Sequence, residues 1–241
     1  MSDNFKNIFV ISGSVTSGYG LAQNIPRWPE LIEKSFPNFT VELFTEDNLS
    51  YQKAIEILAS REITGEILIG YFGTRLGWPR IPIFMQWFLP EIFKRPTAFD
   101  LSVKFRADPR KPIKYIFRSF IKRFLKQLAV HLNLYKPEKK ISELLEEIQL
   151  FFRIASEKFE KIYFIQHHHL EDGRLAFESQ TYNSYYISIL NFVRIQSEVE
   201  IEVIELPAEF FNPRNYLPDN LHLSMQGHVE LSQILVQRLT R

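Results

Sequence analysis

Cysteine is absent from the chain, which excludes disulfides, thiol nucleophiles and cysteine metal sites and fits a reducing compartment. Also missing is any apolar run of about 18 residues, the length a membrane-spanning helix needs. Charge of one sign is not in excess: 29 Lys and Arg face 28 Asp and Glu, a net charge of +1. Such a balance gives no global attraction to nucleic acid or to an anionic membrane, so nucleic acid is not expected as a partner. The polar opening Met-Ser-Asp-Asn-Phe-Lys-Asn runs straight into the first apolar stretch without a signal-peptide pattern, and the expected location is cytoplasmic. Phenylalanine, by contrast, is abundant, with 22 residues in a chain that is 45% apolar. There are no internal repeats, low-complexity segments or dividing linkers. A length of 241 residues therefore reads as one domain, 1–241, with an insertion at about 81–137.

The stretch that organises the chain is Ile8 to Gly20. An apolar run, Ile8 to Ile11, breaks into Ser12-Gly13-Ser14 and a loop containing Gly18 and Gly20. A buried strand that delivers small polar residues at its carboxyl end is how open α/β sheets present a reactive group. Gly13 is expected to let the chain bend sharply, leaving Ser14 where a substrate can reach it. Far along the chain stands Leu217-Pro-Asp-Asn-Leu-His-Leu-Ser-Met-Gln-Gly-His228, which supplies Asp219 and His222 together. A serine hydroxyl is a poor nucleophile until a base takes its proton, and that base needs a carboxylate to fix its tautomer. Base and orienter three residues apart, just before a helix, can be set by one short loop.

These two stretches resemble the first and last blocks of the SGNH (GDSL-type) hydrolases, Gly-Asp-Ser-(Ile/Val)-Thr-x-Gly-x-Gly and Asp-x-x-His-(Leu/Pro)-x-x-x-Gly-His. Seven of the nine positions of the first block fit, with Ser14 at the nucleophile position. Ser12 stands where the pattern has Gly, and Gly13 where it has Asp. The resemblance implies a Ser14-His222-Asp219 triad, an acyl-enzyme, and no metal or cofactor. It further implies an oxyanion hole built from the backbone N–H of Ser14 and from two other blocks. The second block's Gly falls on Asn48, which also reads as a plain loop or capping residue. The third block, Gly-x-Asn-Asp, falls on Gly73-Thr-Arg-Leu-Gly-Trp-Pro-Arg80 and puts Arg75 at the position of the Asn donor. A variant subgroup with Gly-Ile-Val-Asp-Cys-Ala-Pro-Arg is matched there by Gly73, Pro79 and Arg80, while Leu76 replaces its Asp. Gly73, Thr74 and Arg75 are accordingly the expected substrate-binding segment.

The remaining pattern alternates strands and helices. A helix is expected from about Pro29 to Ser35, a strand over Phe39–Phe44, and a helix capped by Ser50 and running to Ser60. That helix should bury Ala54, Ile55, Leu58 and Ala59. Ile67–Phe72 reads as a strand, and Ile81–Pro112 as a Phe- and Pro-rich insertion over the site. From Ile113 to Ala129 apolar residues recur at helical spacing, with Lys114, Arg118, Lys122 and Lys126 at four-residue steps. Nine Lys or Arg face one acid, Asp108, between Lys104 and Lys126. This helix is expected to pack on the domain and leave its basic side in water. The alternative is a surface for anionic lipid, polysaccharide or nucleic acid, so membrane-surface contact would rest on residues 104–126. Ser142 should cap a helix from Glu143 to about Glu160, and Ile162–Gln166 should be the fourth strand. His167-His168-His169 leaves that strand. Consecutive histidines point in different directions and no further ligand accompanies them, so His167 reads as a substrate contact rather than a metal ligand. A helix over Ser179–Ile195, a strand over Glu198–Leu206 and a helix over Ser224–Leu239 close the chain.

Five such strands linked by helices make a flavodoxin-like doubly wound parallel sheet. Ser14 and the Asp219/His222 loop should meet at its carboxyl edge. The function implied by the resemblance is ester hydrolysis, of esterase or O-deacetylase type, on a small-molecule or carbohydrate ester. An acyltransferase using the same triad, and a catalytically weak relative that binds an acylated or anionic ligand, are the alternatives.

Overall fold

The structure is a computed structural model that describes residues 6–18, 21–22, 24–36, 39–46, 49–60, 63–72, 79–80, 113–134, 136–137, 139–165, 176–195, 200–217 and 222–240. Five parallel strands form the sheet: β1 (Lys6–Ser12), β2 (Phe39–Thr45), β3 (Gly65–Tyr71), β6 (Phe159–Ile165) and β7 (Ile201–Ile204). Two-residue strands β4 (Pro79–Arg80) and β5 (Lys136–Pro137) pair antiparallel outside it, an element not expected from the residue pattern. The helices are α1 (Trp28–Ser35), α2 (Tyr51–Ser60), α3 (Ile113–His131), α4 (Ile141–Ser156), α5 (Ala176–Ile195) and α6 (Met225–Leu239).

The order in the main sheet is β2-β1-β3-β6-β7. The chain steps from β1 to one side and then crosses back to the other, so the order reverses beside β1. Ligand sites of open α/β sheets lie beyond the carboxyl ends of the strands at such a switch point. Successive residues of β1 face opposite layers. Phe9 and Ile11 join a core with Leu68, Phe151, Phe152 and Phe164, whereas Ile8 and Val10 join one with Trp28, Ile69, Tyr163 and Leu231. Helices cover both faces, which is why the inner strands β1 and β3 read as continuous apolar runs rather than alternating ones. Much of the phenylalanine sits in the first layer. Phe72 stacks on Tyr51 at 4.4 Å, and Phe151 meets Phe72 edge-on at 5.1 Å and Phe152 at 5.3 Å.

Several expected details shift. Tyr51, Ala54, Ile57 and Leu58 are the buried stripe of α2, while Ala59 is exposed and Ile55 only half-buried. The stripe rotates because Tyr51 turns inward onto Phe72. Lys140, not Ser142, precedes α4, and Ser142 lies inside the helix. The strand after it starts at Phe159 rather than Ile162, because the helix ends earlier, at Ser156.

The largest departure is α3. Phe120 (69% exposed), Phe124 (55%) and Leu128 (36%) face solvent, whereas Ala129 is fully buried and Lys126 half-buried. Its contact side is therefore centred near Ala129, where a small side chain permits close approach, and part of the apolar arc points outward. The helix ends on Asn133 (φ 53°), with Leu134 N–H bonded to Ala129 O at 2.7 Å and Asn133 N–H to Val130 O at 2.9 Å, a paired closure of the last turn. The insertion expected at 81–112 lies outside the described residues. Among the described residues no helix is long and apolar enough to cross a membrane.

Candidate active site

β1 ends at Ser12, which is paired with Thr45 on one side and Tyr71 on the other. The flanking strands follow it a little further: Glu46 N–H donates to Ser12 O at 3.3 Å and Gly13 N–H to Tyr71 O at 3.4 Å. The chain then turns through residues 14–18. Thr16 N–H bonds to Gly13 O at 3.1 Å, and the Ser17 hydroxyl donates to Ser14 O at 2.9 Å. The residue that needs glycine here is Gly18, at φ 70°, not Gly13. A Cβ at Gly13 would meet nothing within 4 Å. The sharp bend expected at Gly13 is thus taken up five residues later, where the left-handed conformation is reached.

The other half of the site comes from the approach to α6. Tyr216 and Leu223 form an isolated antiparallel bridge, and Leu217 N–H donates to His222 O at 2.7 Å. Residues 217 and 222 are thereby held together. Ser224 caps α6 by accepting from Gly227 N–H at 3.2 Å and donates its own hydroxyl to Arg214 O at 2.5 Å. Asn215, fully buried, donates to Phe210 O at 2.9 Å and to Glu230 Oε2 at 2.5 Å. Gly227 lies so close to this segment that a Cβ on it would come 2.1 Å from Asn215 O. No residue but glycine fits there without moving backbone. Burial of Glu230 is outweighed by hydrogen bonds from Gln226, Asn215 and Arg214, which hold its carboxyl below the usual range.

These two segments, 208 residues apart in sequence, bring His222 Nε2 to 3.0 Å from Ser14 Oγ. The separation is that of a nucleophile and its general base. Ser14 is half-buried and His222 is 8% exposed, so most of the pair is shielded from water. For Nε2 to accept the serine proton the imidazole must carry its own on Nδ1. Asp219, Asn48, Gly73, Thr74, Arg75 and His167 lie outside the described residues. Among the described residues no three His, Asp or Glu side chains come together as a metal site. An open hollow lined by Asn7, Gly65, Glu66, Lys158 and Phe159 sits at the amino ends of the strands, the opposite edge from Ser14.

No protein-family model matches the chain, and no curated protein does. Solved structures match it along nearly its whole length. One is a member of the lipolytic protein G-D-S-L family from Veillonella parvula, at TM-score 0.58 and 13% identity, covering 98% of each chain. The fold is that of the SGNH hydrolases. A lipase/acylhydrolase from Enterococcus faecalis matches at TM-score 0.56 and 12% identity, covering 97% of this chain and 95% of its own. Axe2, an acetylxylan esterase from Geobacillus stearothermophilus, matches at TM-score 0.53 and 10% identity, covering 96% and 93%.

Four residues around Ser14 and His222 were not singled out from the sequence for a role: Thr16, Trp28, Asn215 and His228. Thr16 and His228 stood inside the quoted blocks. Trp28 and Asn215 matter through contacts with residues far along the chain, which no local pattern carries. Trp28 N–H donates to His228 Nδ1 at 3.2 Å, so that ring is neutral with its proton on Nε2. Burial, and then the charge of Arg27, push the His228 pKa down to about 4.

Proposed function

We propose that the protein is a serine esterase that works through an acyl-enzyme on Ser14. The observation that carries this reading is the 3.0 Å approach of His222 Nε2 to Ser14 Oγ at the switch point of the sheet. Ser14 Oγ attacks the ester carbonyl as His222 takes its proton. The tetrahedral oxyanion collapses and expels the alcohol, which receives the proton from His222. Water, deprotonated by the same imidazole, then attacks the acyl-enzyme and releases the acid. Asp219 is assigned to hold the Nδ1 proton of His222 and stabilise the imidazolium. The backbone N–H of Ser14 and Asn48, with Arg75, are assigned to the oxyanion. Gly73, Thr74, Arg75 and His167 are assigned to the substrate, a small-molecule or carbohydrate ester. The names of the structural neighbours, a lipolytic protein and an acetylxylan esterase, support the class of reaction.

Labelling with a fluorophosphonate probe followed by peptide mapping tests this. The adduct is expected on Ser14, and Ser14→Ala should abolish both labelling and hydrolysis of small acetyl esters. Ser17→Ala should leave labelling intact. An adduct on another serine, or none at all, overturns the assignment.

A further inference from the structure

The serine turn and the histidine segment are joined by a buried chain of hydrogen bonds. Trp28 Nε1–H bonds to Thr16 Oγ1 at 3.1 Å, Thr16 and Ser12 share a bond at 2.5 Å, and Ser12 Oγ bonds to Tyr71 O at 2.9 Å. Its direction is fixed by chemistry. An indole N–H only donates and a carbonyl only accepts, so Thr16 must donate to Ser12 and Ser12 to Tyr71. Each hydroxyl uses its one proton. Ser12, Thr16 and Trp28 are fully buried and Tyr71 is 1% exposed, so water offers no substitute for a lost partner. Ser12 and Thr16 stand two residues before and two after Ser14. At the far end, the backbone N–H of the same Trp28 donates to Nδ1 of the fully buried His228. His228 lies in the first turn of α6, six residues beyond His222. It is next to Gly227, which is pressed against Asn215.

We infer that Ser12, Thr16, Trp28 and His228 are positioning residues that together set the distance between Ser14 and His222. This rests on the reading of Ser14 as nucleophile and His222 as its base. One residue, Trp28, holds the serine turn by its side chain and the histidine helix by its backbone. A lateral shift of either segment must therefore break a buried bond. Ser12 is also where the first block of the resemblance has Gly, so the last link of the relay is this chain's own. A hydroxyl added there needs two partners in a dry site, and Thr16 and Tyr71 O supply both. A catalytic pair tolerates only about half an ångström of misplacement.

The test compares wild type with Thr16→Val, Thr16→Ser, Ser12→Ala and Trp28→Phe. Each is first checked for folding by its melting temperature, then assayed well below that of the least stable. Thr16→Val keeps the shape but removes the relay's central donor and acceptor. It should slow phosphonylation of Ser14, and kcat on p-nitrophenyl acetate, by about ten- to a hundredfold. KM should stay within about twofold, because none of the residues assigned to the substrate is changed. Thr16→Ser restores the hydroxyl and should recover to within about threefold of wild type. A folded Thr16→Val that labels at the wild-type rate overturns the inference. So does a Thr16→Ser as slow as the valine variant, since restoring the hydroxyl would then not restore the rate. If Trp28→Phe does not fold, Ser12→Ala, which deletes one oxygen, carries the same expectation. Should wild type fail to label at Ser14, the nucleophile assignment falls by itself, and NMR decides the relay. Faster exchange of the Trp28 indole proton together with shifted His222 ring resonances in Thr16→Val supports it. Unmoved His222 resonances overturn it.

Discussion

The serine turn and helix α3 handle side chains in opposite ways. Around Ser14, the hydroxyls of Ser12 and Thr16, the Trp28 indole and Nδ1 of His228 are all buried and all paired. On α3, Phe120 and Phe124 stand in water. A buried polar group has few positions in which its bond can be made, so every such pair removes alternatives of geometry. An apolar face on a helix specifies only that burial is favourable, not which part of the arc is buried or against what. Precision in this molecule is therefore concentrated where polar groups are dry, at the carboxyl edge of β1, β2 and β3. The contrast can be broken or sharpened by substitution.

The largest combined effect, on stability and turnover together, is expected at Gly227. A methyl group there would sit 2.1 Å from Asn215 O, against backbone rather than a movable side chain. Gly227→Ala must push α6 away from the segment that precedes His222. Overpacking of this kind costs about 3 kcal/mol. Urea unfolding should show that loss, with kcat on a small ester falling further than stability alone explains. An alanine variant as stable and active as wild type would mean that the hub is softer than its contacts imply.

How far the sequence anticipated this can be judged residue by residue. The pairing of Ser14 with His222 was legible because short patterns carry both residues, and the structure brings them together. The sheet was legible because apolar runs and helical spacing are local. Gly227 was visible as a letter of a block, but its reason is the approach of Asn215 from another element. The sharp bend was expected at Gly13, and only the backbone showed that Gly18 takes the left-handed conformation. For α3 the period of the pattern was correct, and Ala129 of its apolar face is buried, but Phe120 and Phe124 of that face are exposed. Periodicity defines an arc about 100° wide, and contact can fall on either flank of it.

A middle-sized effect should follow pH through His228. Its folded-state pKa of about 4 lies below the ordinary 6.5, so the unfolded chain binds more protons between those values. Stability from this group is complete above about pH 6.5 and is lost as pH falls towards 4. Between pH 7 and pH 5 the loss should be about 2 kcal/mol, read from urea midpoints at constant salt. His228→Asn keeps an acceptor for Trp28 N–H while removing the titration, and this part of the slope should vanish with it. A slope unchanged in the variant would assign the acid sensitivity to other groups.

The smallest effect belongs to α3, and it separates the two regions most directly. Phe120 is 69% exposed and Phe124 55% exposed, so replacing each by Gln removes little burial. Substitutions at such surface positions usually change stability by no more than about 0.5 kcal/mol. A Phe in a dry layer behaves otherwise: Phe151 is fully buried, and Phe151→Ala should cost about 3–5 kcal/mol. Thermal melts of Phe120→Gln, Phe124→Gln and Phe151→Ala, run side by side, measure the gap. Turnover of p-nitrophenyl acetate by the two α3 variants should match wild type, because neither side chain belongs to the serine or histidine segments. If Phe120→Gln destabilises as much as a core truncation, that ring is covered in solution, and the outward orientation of α3 is wrong. If the melts agree but turnover drops, the outer face of α3 takes part in reaching the substrate, and the division between a precise hub and a loosely specified helix no longer holds.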